Sequence, residues 1–128
     1  FTNGASRFQV FEPTPSYQDG IIGGEDGNSF WLTKEHADII QEVANGDNRR
    51  YEVILGFDDG YLGNQPLYRL DASSETVAQK GISIPSGNEA GANSWWRPGA
   101  RTYPGDMPEG VMKNISIKEG DITWNIAN

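Results

Sequence analysis

Aromatic and guanidinium side chains are concentrated in one short segment of this 128-residue chain. The segment carries two tryptophans, one tyrosine and two arginines, which are Trp95, Trp96, Arg97, Arg101 and Tyr103. The faces of Trp and Tyr stack on sugar rings, and Arg donates paired hydrogen bonds to hydroxyls or carboxylates. The same residue types dominate the energetic centres of protein–protein interfaces. The sequence therefore predicts a ligand-binding surface here, for a glycan or a protein partner.

The same segment also allows a purely structural interpretation. Neighbouring residues on a strand point to opposite faces, so one of Trp95 and Trp96 would be buried and the other exposed. Pro98 and Pro104 restrict the backbone, which would hold an exposed ring rigidly for stacking. The Gly- and Pro-rich loop 86–110 therefore either carries a binding surface or covers one open end of a sheet core.

Side chains for acid–base or metal chemistry are few and poorly spaced. His36 is the single histidine, so a Ser-His-Asp triad could form only around it, and its position in a helical first turn indicates a surface residue. Two acidic pairs, Glu25-Asp26 and Asp58-Asp59, precede glycines. Neither pair has EF-hand spacing, because Ile22 and Leu55 stand where the first ligand belongs. We interpret both pairs as turn residues and expect no catalytic residue, no metal site and no cofactor. The alternative is a calcium site without EF-hand spacing, at Glu25, Asp26 and Asn28 or at Asp58 and Asp59.

Composition narrows the class of protein further. The 10 Lys and Arg residues against 18 Asp and Glu give a net charge of −8, which argues against binding a nucleic-acid backbone. The chain has no cysteine, so disulfides and Cys-ligated zinc are excluded. No apolar run reaches the roughly 18 residues that span a bilayer, and we expect no membrane insertion. The length predicts a single domain over 1–128, and a start at Phe1 indicates a chain that was processed or cut from a longer one.

One helix is indicated clearly, over residues 34–44. Thr33 can cap its start, Glu35 suits the first turn, and Asn45-Gly46 can end it. We expect Lys34, Asp38 and Glu42 to be exposed. The apolar residues at helical spacing, which we expect to be buried, are Ala37, Ile40, Val43 and Ala44.

Most of the remaining chain shows strand patterns. Strands are predicted at 7–11, 51–57, 67–70 and 82–84, while 71–80 fits either a loop or one helical turn. The clearest pattern is a C-terminal hairpin in which 111–117 pairs with 122–126, with a buried face made by Ile115, Ile117, Ile122, Trp124 and Ile126. The predicted fold is mainly β, an antiparallel sandwich or jelly-roll-like domain with one short helix. The alternative is an α+β fold with a small antiparallel sheet.

Two local resemblances add to these patterns. The stretch from Phe30-Trp31-Leu32-Thr33-Lys34-Glu35-His36 to Asp59-Gly60 resembles a segment of phage tail-fibre assembly proteins. There an aromatic-Leu-Thr-acidic helix start is followed by a glycine and by a strand ending in Asp-Gly. The tail from Gly110 to Ser116 and on to Ile122-Thr123-Trp124 is similar to the last hairpin of immune-inhibitor-type secreted metallopeptidases, whose zinc motif this chain lacks. Neither resemblance carries a functional residue over.

Three functions are compatible with these observations. The first is a non-catalytic binding or structural module of a surface, secreted or virion protein, which implies an extracellular, cell-surface or virion location. The second is a phage virion or tail-associated assembly component, which a homo-oligomer or a larger assembly would favour. The third is a fragment of a secreted hydrolase, which a metal or a buried pair of carboxylates would favour.

Overall fold

The computed structural model describes residues 1–14, 20–23, 27–83, 96–97, 101–102, 107–108 and 110–128. Within these ranges the chain forms three helices and several small antiparallel sheets, so the protein is a small α+β domain. The α+β alternative is therefore the better description, and the expectation of a single helix is wrong. Two further segments are helical because each has a capping side chain at its start.

The secondary structure elements are named here in chain order. The helices are α1 (Lys34–Ala44), α2 (Asn48–Leu55) and α3 (Ser74–Lys80). The first strands are β1 (Ala5–Gln9), β2 (Ile21–Ile22), β3 (Asn28–Trp31) and β4 (Tyr68–Ala72). Three short strands follow, β5 (Trp96–Arg97), β6 (Arg101–Thr102) and β7 (Met107–Pro108). The last strands are β8 (Gly110–Lys113), β9 (Ile115–Ser116) and β10 (Ile122–Ile126).

The longest strands form a three-stranded antiparallel sheet in the order β1-β4-β10. In its register, Leu70 of β4 lies opposite Arg7 on one side and Trp124 on the other. Strand β8 pairs with β3, and β9 pairs with β2. The predicted hairpin of 111–117 with 122–126 is therefore wrong. Alternation of apolar residues shows which face of a strand is buried, but it does not identify the strand that lies beside it.

Burial in the C-terminal strands follows the prediction in part. Ile115 and Ile122 are buried, while Ile117 and Trp124 are half-buried and pack against the core. Ile126 is 60% exposed, so its predicted burial is wrong. It lies at the end of β10 opposite Tyr68, which is itself only half-buried, and the apolar side of the sheet is not covered there.

Helix α1 confirms the predicted bounds and caps. The Thr33 side chain accepts a hydrogen bond from the backbone N–H of His36, and Asn45 adopts the left-handed conformation at the end. Asp38 and Glu42 are exposed as predicted, whereas Lys34 is half-buried. Val43 is 54% exposed, so its predicted burial is wrong. The helical rotation places Val43 at the flank of the stripe that Ala37, Ile40 and Ala44 bury.

Helix α2 occupies the segment for which we predicted a strand. The β-branched and aromatic residues of 51–57 favoured a strand, but both ends carry helix caps. The Asp47 side chain accepts hydrogen bonds from the backbone N–H groups of Arg49 and Arg50. Gly56 ends the helix at φ 76°, a left-handed conformation that glycine adopts without a steric penalty. These caps and the burial of Tyr51 outweigh strand propensity.

The remaining short predictions agree approximately with the structure. The strand predicted at 7–11 is β1, and the strand predicted at 67–70 is β4. At 82–84 only Ser83 forms a bridge, with Val111, and Ile84 lies outside the described residues. The ambiguous stretch 71–80 contains α3, whose start is capped by the Ser73 side chain.

Two apolar clusters lie on the two faces of the central sheet. One face carries Ala5, Leu70, Ala72 and Ile122, which join Trp31, Met112 and Ile115 in the first cluster. Phe8 points to the other face, where it joins a second cluster containing Ile40, Tyr51, Leu62 and Leu67. Helices α1 and α2 cover that second face, and they leave a polar strip of it open beside β10.

Candidate functional site

The described residues include the backbone of three of the five predicted binding residues. Trp96 and Arg97 lie in β5 and Arg101 lies in β6, whereas Trp95 and Tyr103 lie outside the described residues. The antiparallel register places Arg97 directly opposite Arg101, and Trp96 opposite Thr102. Strand β7 pairs with the other edge of β6. The structure therefore brings Trp96, Arg97 and Arg101 together on one small sheet of their own.

A polar groove, which sequence reasoning did not predict, opens between α1 and β10. Its volume is about 310 Å³. Helix α1 supplies one wall, β4 the floor and β10 the other wall. The lining residues are Asp38, Gln41, Arg69, Asp71, Asn125 and Ile126.

Arg69 is the centre of this groove, and its side chain is only 12% exposed. Its Nη1 donates to Asp38 Oδ1 at 2.6 Å and to Gln41 Oε1 at 2.7 Å, both on α1. Its Nε donates to Asp71 Oδ1 at 3.1 Å, and Ser6 Oγ also donates to that carboxylate oxygen. One guanidinium thereby connects the helix to two strands of the sheet.

The sequence contained a signal for this cluster. In β4 the polar residues Arg69 and Asp71 alternate with the buried residues Leu70 and Ala72. Such alternation predicts a strand whose second face is polar. What the pattern could not show is that α1 crosses that face, so that the Arg69 side chain is enclosed instead of solvated.

The groove offers hydrogen-bonding groups of both kinds to a ligand. Most N–H donors of Arg69 bond to protein acceptors, so this side chain holds α1 and β4 in position around the groove. Asn125 is exposed and carries both a donor and an acceptor at the edge of the groove. The two negative charges of Asp38 and Asp71 exceed the single positive charge of the Arg69 guanidinium. The groove therefore favours neutral or cationic polar groups over anions.

Glu52 is the one buried carboxylate of the described core, and its hydrogen-bond partners account for its burial. Its Oε1 accepts from the backbone N–H of Gly60 at 3.0 Å and its Oε2 from that of Leu62 at 2.9 Å. Arg49 Nη1 also donates to Oε1, at 3.0 Å. The backbone hydrogen bonds from Leu62 and Gly60, followed by the contact with Arg49, hold the pKa of Glu52 below its ordinary value. The side chain thus orders the loop after α2.

The other titratable residues that the sequence singled out have structural surroundings as well. His36 is half-buried, and its Nδ1 lies 2.6 Å from Thr33 Oγ1 at the helix cap. Asp58 and Asp59 are exposed, and Asp59 forms an ion pair with Arg49 at 3.1 Å. The Glu25-Asp26 pair lies outside the described residues. Among the residues that are described, no group of three or more His, Cys, Asp or Glu side chains could hold a metal ion.

Comparison with known proteins gives no family for this chain. No family model matches the sequence, and a search of curated proteins finds no match. In the described part of the chain, no helix combines the length and apolar character needed to cross a membrane.

Proposed function

We propose that this chain is a non-catalytic binding module of a surface, secreted or virion protein. Its ligand is a glycan or a protein partner, held by the aromatic and arginine residues Trp95, Trp96, Arg97, Arg101 and Tyr103. The location that follows is extracellular, at a cell surface or on a virion. The single observation that supports the proposal is the register of β5 and β6, which sets Arg97 opposite Arg101 beside Trp96.

The register also indicates what the ligand carries. Like charges at directly opposite positions on neighbouring strands destabilise a strand pair. A ligand carboxylate that accepts hydrogen bonds from both arginines would remove that repulsion, since charge-assisted bonds of this kind are among the strong ones. Strand alternation assigns Trp96 to the face opposite the two arginines, so its aromatic ring supplies a second, separate contact for a sugar ring or an apolar side chain. We therefore expect an acidic group of the ligand at the two arginines and a separate stackable surface at Trp96.

Binding to immobilised acidic and neutral oligosaccharides tests this proposal. A stacked aromatic ring contributes about 1–3 kcal/mol by analogy with base stacking, so Trp96→Ala should weaken binding at least several-fold. Arg97→Ala should weaken binding to the acidic oligosaccharides more than to the neutral ones. Trp96→Ala should keep the melting temperature of the unmodified protein, and Arg97→Ala should keep or raise it, because it removes the repulsion between the two arginines.

Arg50→Ala is the matched control. Arg50 is exposed on α2, and its carboxylate contact with Asp47 is long, at 3.8 Å. Its removal takes away the same charge without touching the proposed surface, so affinity should not change. If Trp96→Ala and Arg97→Ala lower the melting temperature and leave affinity unchanged, the loop only covers the core and the proposal fails. A chain that binds no oligosaccharide contradicts the glycan form of the proposal.

A further inference from the structure

Strand β10 forms an outer edge of the central sheet. Its inner edge pairs with β4 over five residues, from Ile122 opposite Ala72 to Ile126 opposite Tyr68. Within the described ranges, no strand pairs with its other edge. The opposite outer strand, β1, is bridged instead, because Ser6 and Leu32 exchange two backbone hydrogen bonds of 2.8 and 2.7 Å. The edge at β1 is therefore bridged to Leu32, whereas no described strand pairs with the outer edge of β10.

The edge of β10 carries none of the usual protection against pairing. Monomeric proteins protect edge strands with lysine, proline or bulges. The sequence Ile122-Thr123-Trp124-Asn125-Ile126 contains no charge and no proline, in a chain of which 22% is charged. Thr123, Asn125 and Ile126 are exposed. A regular, uncharged and exposed strand edge of this kind is a template for another strand.

The strand is also complementary to itself. Its order of apolar, polar, Trp, polar and apolar residues is the same in both directions. In an antiparallel pair of copies centred on Trp124, Ile122 lies opposite the partner's Ile126 and Thr123 opposite the partner's Asn125. The Asp121 residues of the two copies lie at opposite ends of the pair. No like charges meet, although each chain carries a net charge of −8.

We propose that β10 pairs antiparallel with β10 of a second copy of this chain across a two-fold axis at Trp124. The three-stranded sheets of the two copies then join into one continuous sheet with the order β1-β4-β10-β10-β4-β1. The contact is isologous, so it closes at a dimer and leaves no free copy of the same edge. This inference is independent of the ligand proposed for the aromatic segment.

Cysteine cross-linking tests the register, since the chain contains no cysteine of its own. Directly opposite residues of an antiparallel pair have Cα atoms about 4.5–5.5 Å apart, within the range of a disulfide. Diagonal neighbours are about 7–8 Å apart, which is too far. A mixture of Thr123→Cys and Asn125→Cys proteins should therefore form the mixed disulfide in excess over either symmetric one. A statistical mixture, or no cross-link at all, overturns the proposal.

A pair of charge variants tests the contact without cross-linking. Thr123→Lys combined with Asn125→Lys sets lysine opposite lysine twice, so the dimer should weaken at least several-fold in sedimentation velocity. Thr123→Lys combined with Asn125→Glu sets lysine opposite glutamate twice, so the dimer should persist. The second variant keeps the net charge of the unmodified chain, and the first lowers its magnitude, so general repulsion cannot cause the expected difference. Equal effects of the two variants, or an unmodified chain that stays monomeric up to millimolar concentration, overturn the proposal.

Discussion

At the scale of the residue, the charged groups of the described core are held by specific partners. Glu52 is 1% exposed, and backbone N–H groups together with Arg49 satisfy its carboxylate. Arg69 is enclosed by acceptors from α1 and β4. In each case the charge holds a neighbouring segment, which is the loop after α2 for Glu52 and the turn of α1 that carries Asp38 and Gln41 for Arg69.

Replacing Glu52 by glutamine should lower the melting temperature at neutral pH. The amide keeps the shape of the side chain, but its NH2 group would face the backbone N–H of Gly60 or Leu62, which is also a donor. Because hydrogen bonding lowers the folded-state pKa of Glu52, its stabilisation is complete above the ordinary glutamate pKa of about 4.3 and is lost as pH falls through the lower value. Thermal melts from pH 7 to pH 2 should therefore show the difference between the two proteins shrinking at the acid end. A difference that is constant with pH would contradict this account.

Removing the Arg69 guanidinium should loosen α1 from the sheet. Hydrogen bonds to charged groups contribute about 1.5–3 kcal/mol, so Arg69→Met should lower the free energy of unfolding by an amount of that order in urea titrations. Asp38→Asn is the comparison, because the Asp38 side chain is 69% exposed and an exposed ion pair contributes about 0–1 kcal/mol. Equal losses in the two variants would show that Arg69 acts only through its contact with Asp38.

At the scale of the element, helix caps determine the secondary structure where the pattern of apolar residues is ambiguous. For α1, caps and apolar period agreed, and the predicted bounds are correct. For α2, the residues of 51–57 favour a strand, while Asp47 and Gly56 favour a helix. Eight residues are too few for helix propensity to decide, and burial of Tyr51 against Phe8 is a tertiary effect that no local window contains.

Asp47→Ala should therefore destabilise the protein by about 0.5–2 kcal/mol, the usual value for loss of an N-cap. The Asp47 side chain is the acceptor for two backbone N–H groups in the first turn of α2. Asp58→Ala removes the same charge from an exposed loop position, and its effect should stay within about 0.5 kcal/mol. Guanidinium titrations of both variants measure the contrast, and similar values would mean that the cap is not what holds α2.

Strand pairing is the part of the fold that the sequence predicted least. The apolar alternation of 111–117 and 122–126 correctly located β8 and β10, and Ile115 and Ile122 are buried as expected. The partners of these strands are β3 and β4, which lie far away in the chain. For the candidate sites, composition alone drew attention to Trp96, Arg97 and Arg101. The groove at Arg69 was missed because it requires knowing that α1 packs on the polar face of β4, where Asp38 and Gln41 reach Arg69.

At the scale of the whole molecule, one sheet separates two apolar clusters. Ile115 belongs to one cluster and Ile40 to the other, and each is 1% exposed. Because β1 contributes to both clusters, Ala5 to one and Phe8 to the other, Ile115→Ala and Ile40→Ala should each cost about 2–5 kcal/mol and shift one common unfolding transition. Near- and far-ultraviolet circular dichroism should then give coincident melting curves for both variants. Two separated transitions would show that the clusters unfold independently.

The central position of β4 has a consequence for how the chain reaches this structure. Ser6 bonds to Asp71 across 65 residues, and the Tyr51 hydroxyl bonds to the Ala127 carbonyl across 76. Contacts this distant must overcome a large loop-closure entropy before they stabilise anything, so proteins dominated by them fold in about milliseconds to seconds. Strand β4 needs β1 from early in the chain and β10 from its last described strand. During synthesis one edge of β4 therefore stays unpaired until β10 has left the ribosome.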